Sequence, residues 1–103
     1  MLSVGRPKRL VSELLYSGWC RKMVARDPRG RHVSPLSEDA VAWCHWGAMM
    51  AALDTDQYVA YYHVVERLLG TDTIVTHNDK QDSAAPVIAL AQAAERELGW
   101  LTE

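Results

Sequence analysis

Apolar residues recur at helical spacing in four stretches of this chain, separated by polar breaks that contain Gly or Pro. The first runs from Pro7 to Ser17, with Leu10, Val11, Leu14 and Leu15 in a stripe, Pro7 suited to a first turn and Gly18 as a stop. The second, Ala40–Leu53, is apolar almost all round, His45 being its one polar residue. Ser37 reads as its N-cap, with Glu38 and Asp39 in the first turn where backbone N–H groups favour negative charge. Ala40, Cys44, Gly47, Ala48 and Ala51 fall on one side, and Trp46, Met49, Met50 and Leu53 on the other with Trp43 beside them. A helix without a polar face belongs inside a protein, so this one, at about residues 38–53, is expected at the centre of the core. Turned outward, its Trp46–Met49–Met50 side would be a binding patch.

The third stretch follows the break at Asp54-Thr55-Asp56. On a helix from Asp56 to Leu69, closed by Gly70, the residues Tyr58, Tyr61, Tyr62, Val65, Leu68 and Leu69 make the apolar face, and Asp56, His63, Glu66 and Arg67 the polar one. His63 is therefore expected in water. The fourth, Ala84–Leu98, is capped by Ser83 and carries Pro86 in its first turn, Val87, Leu90, Ala91, Ala94 and Leu98 facing inward, and Gly99 as its stop. Between the first two helices, Lys22–Arg26 and Arg31–Val33 flank Asp27-Pro28-Arg29-Gly30, a turn with Pro at its second position and Gly at its fourth. The pattern thus predicts a mainly α fold: four helices around a buried central one, with a small two-stranded β-hairpin at about residues 22–33. Thr71–Ser83, polar except for Ile74 and Val75, is the longest irregular segment, and loops of that length in compact domains are often functional.

The 103 residues make one domain with one core, preceded by a loose end at Met1–Arg6. No window approaches the ~18 uninterrupted apolar residues of a membrane span, and Gly5, Arg6, Pro7, Lys8 and Arg9 interrupt any secretory apolar region, so a cytoplasmic protein without a membrane partner is expected. Cys20 and Cys44 have no metal or redox spacing and read as reduced thiols. Charge is unevenly spread: residues 1–33 carry a balance of +6, residues 34–103 one of −8. The basic side chains Arg21, Lys22, Arg26, Arg29 and Arg31 could meet nucleic acid, but no aromatics and glycines of a nucleic-acid module are interleaved with them. Complementary charge within the fold or across a homodimer is favoured.

Two constellations could carry chemistry. Cys44 with His77 and Asn78 or Asp79 has the parts of a cysteine hydrolase: thiol, imidazole and orienting group. Against it, a thiol on the small-residue side of an internal helix is inert. His45, His63, His77 and Asp79 lack any spacing that fixes two metal ligands on one element, and no Gly-rich phosphate loop exists, so neither a metal nor a cofactor is expected. Asn78-Asp79 is the stronger signal. A buried pair tying its loop to Trp19 and Arg26 is the structural reading, and a polar site formed with His77 and Lys80 is the functional one.

Trp19, Ala25-Arg26-Asp27, Gly30, Val33, Pro35, Ala40, Trp43-Cys44-x-x-Gly47-Ala48 and Asn78-Asp79 together resemble an uncharacterised family of small bacterial and phage proteins. Its members carry a similar Trp…Asp-x-x-Gly…Cys-x-x-Gly-Ala…Trp-Asn-Asp pattern. The resemblance spans roughly Leu10 to Ala94, with His77 where the family more often has Trp. It implies a bacterial or mobile-element source and no particular activity. The function expected is that of a small interaction protein, such as an accessory factor or inhibitor binding a host protein. Its surface is expected to combine Arg21, Lys22, Arg26, Arg29 and Arg31 with His77, Asn78, Asp79 and Lys80.

Overall fold

A computed structural model describes residues 4–102; Met1–Ser3, the first half of the expected loose end, fall outside the described residues, as does Glu103. In chain order the elements are α1 (Val11–Ser17), β1 (Ala25–Arg26), β2 (Ala42–Trp43), α2 (His45–Ala52), α3 (Thr55–Leu69), α4 (Ile74–Asp79) and α5 (Ala85–Glu97). The fold is mainly helical with one small antiparallel β pair, as the pattern predicts. No helix among the described residues is long and apolar enough to cross a membrane.

Where local chemistry is strong, the elements follow it. Asp54 caps α3 by accepting from Gln57 N at 2.8 Å, while the Gln57 carboxamide oxygen accepts from Asp54 N at 2.9 Å, and Gly70 ends the helix at φ +69°. The Asp27–Gly30 turn forms, with Asp27 accepting from the backbone N–H of Arg29 and Arg31 and pairing with the Arg31 guanidinium at 2.7 Å. α5 starts beside Pro86 but without a side-chain cap, so Ser83 is not its N-cap. The first helix is shorter than expected, because residues 6–9 run as an arm whose neighbours are tied down: Trp100 donates to Val4 O and Gln57 to Gly5 O, each at 3.0 Å.

Three expectations need correction. The second helix begins at His45, not near residue 38, since Ser37 caps only a turn (Asp39 N to Ser37 Oγ, 3.1 Å) and the chain then runs extended. Along that extended run, Trp43 N donates to Gly18 O, Cys44 N to Val24 O and Val41 N to Arg26 O, so the backbone bonds that a helix would supply are made by neighbouring strands. β1 accordingly pairs with β2, in the register Ala25↔Trp43 and Arg26↔Ala42, while the expected partner segment contributes only a bridge from His32 to Arg26. Finally, Thr71–Ser83 contains α4, a fifth helix, capped by Thr73 Oγ1 accepting from Thr76 N.

α2 packs against α1, α4 and β2, with His45, Gly47, Ala48 and Met49 buried and Trp46 and Met50 each 39% exposed. α1 buries Val11, Leu14 and Leu15 against α2, α5 and β2. The core continues through Tyr61 and Val65 of α3 and Val87, Ala91 and Ala94 of α5, with the Tyr61 ring stacked on Trp100 at 6.2 Å. Glu95, which periodicity leaves unexplained, is fully buried because it caps α1 from a distance: its carboxylate accepts from Ser12 N at 3.0 Å and Ser12 Oγ at 2.6 Å.

Two glycines allow the backbones to meet. A methyl group at Gly47 would lie 2.0 Å from Val24 O, and one at Gly18, whose backbone is extended, 2.0 Å from Val41 O. Val24 O accepts from Cys44 N and cannot move without breaking that bond, and Val41 is held through its own N–H on Arg26 O. Gly47→Ala and Gly18→Ala are each expected to lower the unfolding free energy by about 2 kcal/mol or more. Gly5→Ala, with nothing within 4 Å, should leave it unchanged within about 0.5 kcal/mol in the same urea titration.

Candidate functional site

The Asn78-Asp79 pair is where the structure gathers most of the residues singled out in the sequence. α4 delivers Asn78 into a fully buried position at the N-terminal end of α2. There its Oδ1 accepts from Trp19 Nε1 at 2.8 Å and from His45 N at 3.0 Å, while its Nδ2 donates to Cys20 O at 3.2 Å and Asp79 Oδ1 at 3.1 Å. A carboxamide has two acceptor sites and two donors, and all four are occupied. Asp79 in turn accepts from Lys22 N at 2.9 Å, holding Lys22 at φ +66°, a conformation that non-glycine residues rarely adopt. Arg21 reaches Gln81 O at 2.5 Å and lies 3.7 Å from the Asp82 carboxylate. Segments 19–22 and 77–82 are thereby joined, with Trp19 among the partners of the buried Asn78 and Arg26 taking no part in the Asn78 bonds.

The other candidates are dispersed. Arg29 and Arg31 are exposed on the distant turn, Arg31 paired with Asp27, and Lys80 pairs with Asp72 at 2.6 Å. His77 is half-buried, and burial lowers its imidazole pKa with Asp72 opposing. Cys44 occupies the N-cap of α2, a position that favours a thiolate, and its Sγ accepts from Gly47 N at 3.3 Å. Burial outweighs that bond and raises the thiol; it also raises Cys20 to about 11, with Cys44 nearby as the next cause. Cys44 opens onto a hollow of about 200 Å³ shared with Asp79 and Lys22, and His77 is not part of its lining. Thiol, imidazole and carboxamide are thus not assembled as a triad, because Asn78 points to Trp19 and His45. Among the described residues, no three His, Cys, Asp or Glu side chains are grouped to hold a metal ion.

No family model, curated protein or solved structure matches this chain.

Trp46 and Val75, which line the hollow beside Cys44, also line a second, apolar groove of about 340 Å³. Its walls are aromatic and mutually ordered: Trp46 Nε1 donates to Tyr58 Oη at 2.7 Å, and the Tyr58 and Tyr62 rings are parallel within 3° at 6.3 Å. Sequence periodicity assigned these tyrosines to the core. Tyr61 is buried as expected, but Tyr62 is 37% exposed. Behind the groove sits His45, fully buried, with Nε2 2.6 Å from Tyr61 Oη and Nδ1 without a partner among the described residues. Its isolation as the one polar residue of an apolar stretch was the only signal of this role.

Two predictions follow from these polar contacts. Asn78→Ala removes four bonds and strands buried donors, so a loss of about 3 kcal/mol is expected in denaturant unfolding, with Asn78→Asp no better because it sets a second carboxylate beside Asp79. The second concerns pH. Burial, reinforced by His77, pushes His45 down to about 3 from its ordinary 6.5. The stability it confers is complete above pH 6.5 and is lost as the pH falls toward 3, about 2 kcal/mol of it by pH 5. Glu95, raised by burial, has the opposite sign, its contribution falling as pH rises through its folded value. Glu95→Gln should therefore abolish the loss of stability that sets in as the pH rises past the ordinary glutamate value of 4.5, measured by urea midpoints.

Proposed function

We propose that this chain is a small non-enzymatic interaction protein that docks a partner protein through the aromatic groove around Trp46. The observation that carries the reading is the ordered, exposed Trp46–Tyr58–Tyr62 cluster, because Trp and Tyr held rigid at a surface are the side chains that dominate protein interfaces. Lys22 and Asp79, which line the neighbouring hollow together with Trp46 and Val75, supply a polar edge. The partner that fits presents an apolar side chain to the groove and a charged group to that edge. A phage or mobile-element accessory factor acting on a host protein is the concrete form, and its support is the resemblance of the residue pattern to small bacterial and phage proteins.

The enzyme reading has one observation in its favour, the N-cap position of Cys44, and is opposed by burial of the thiol and by the full occupancy of Asn78. A nucleic-acid surface is weakened by the pairing of Arg21 and Arg31 with acidic residues. The test is affinity capture from the source organism with the wild-type chain and Trp46→Ala, the fold of each checked by circular dichroism. A defined partner retained by the first and lost by the second is expected. Equal retention by both, or recovery of the chain alone, would overturn the proposal. Iodoacetamide at pH 7 should label Cys44 slowly, whereas fast and selective labelling would restore the hydrolase reading.

A further inference from the structure

On the side of the molecule formed by the 4–9 arm and the start of α3 lies a trough of about 660 Å³. One rim is basic. Arg6, Lys8 and Arg9 line it, all three exposed and, among the described residues, in no hydrogen bond or ion pair through their side chains. The rim is held in place, because the backbone just before it is anchored by Trp100 and Gln57 and the Pro7 and Leu10 side chains are buried. Asp54 also lines the trough, but its carboxylate is occupied in capping α3.

The floor is apolar. Leu14, Ala51 and Ala52 form it together with the edge of Trp43, whose indole N–H is already satisfied by Pro35 O at 3.0 Å. Leu36 also lines the trough and, among the described residues, is a large apolar side chain left 70% exposed. Three unneutralised cations beside an exposed leucine are complementary to a ligand that is anionic and apolar at once. A small molecule requires an enclosing pocket that covers most of its surface, and this trough is bounded by exposed side chains. An extended or helical segment fits it better.

We infer that the trough binds an acidic amphipathic peptide segment of a partner protein, with carboxylates on Arg6, Lys8 and Arg9 and apolar side chains on the floor against Leu36. This site is separate from the groove at Trp46. The test is fluorescence anisotropy with a fluorescein-labelled peptide in which Glu alternates with Leu and Phe, beside a counterpart carrying Lys for every Glu. Saturable binding of the acidic peptide alone is expected. It should weaken at least ~10-fold in the double variant Arg6→Glu/Arg9→Glu and on raising the salt from 0.05 to 0.5 M, both through loss of charge attraction. Leu36→Ser should weaken it as well, and Trp46→Ala should leave it unchanged, which separates this site from the proposed docking groove. Absence of saturable binding, equal binding of the two peptides, or affinity unaltered by the double charge reversal would overturn the inference. So would sedimentation showing that the trough is closed by a second copy of the chain, a self-association abolished by the same charge reversal.

Discussion

The carboxamide of Asn78 is the constraint that the rest of this structure depends on. Two parts of the chain arrive at the same place with unsatisfied polar groups: the Trp19-Cys20 segment, with an indole N–H and a carbonyl, and the start of α2, with the His45 N–H. An aspartate would leave the carbonyl without a donor, and an aliphatic residue would leave all of them buried and unpaired, at a cost far larger than the net worth of any one bond. α4 is short and has little apolar surface of its own. Ile74 seats it in the core, Thr73 caps it, and its end result is the placement of Asn78.

Similar long-range polar links recur. Glu95 reaches from α5 to the N-terminal end of α1, and His45 from α2 to Tyr61 on α3. Each joins elements distant in sequence through a group that is costly to bury unless paired, so each favours one arrangement of the helices over alternatives that would pack the same apolar residues. The same links remove the chemically versatile side chains from use. His45 is shut away from solvent, Asn78 has no remaining capacity, and Cys44 is raised by burial although it stands where a helix would otherwise lower it.

What faces outward is of two kinds. Around Trp46 the surface is aromatic and nearly uncharged, with Lys22 and Asp79 at its margin. Along the N-terminal arm it is basic over an apolar floor. The positive balance of residues 1–33 is thereby divided among three places, the arm, the strip zipped against α4 and the Asp27–Gly30 turn, instead of forming one continuous field.

By itself the sequence determined the helical class, the presence of one small β pair though not its second strand, the solvated position of His63 and the elements whose ends carry their own chemistry. Gly70 and the Asp27–Gly30 turn bond within a few residues of themselves, so the local sequence suffices to locate them, whereas the Asp54–Gln57 box starts its helix one residue earlier than the sequence reading. Tertiary structure decided the rest. Ala40–Cys44 is an apolar run that satisfies a helical pattern and a buried strand equally, and only the open backbone groups of Gly18–Cys20 and Val24–Arg26 alongside make it extended. α4 has too few apolar residues to leave a period, and whether Tyr62 and Trp46 are covered depends on what the other helices leave uncovered. Asn78 was visible as an unusual pair with Asp79, but its role is a matter of four partners, three of which lie 33 to 59 residues away along the chain.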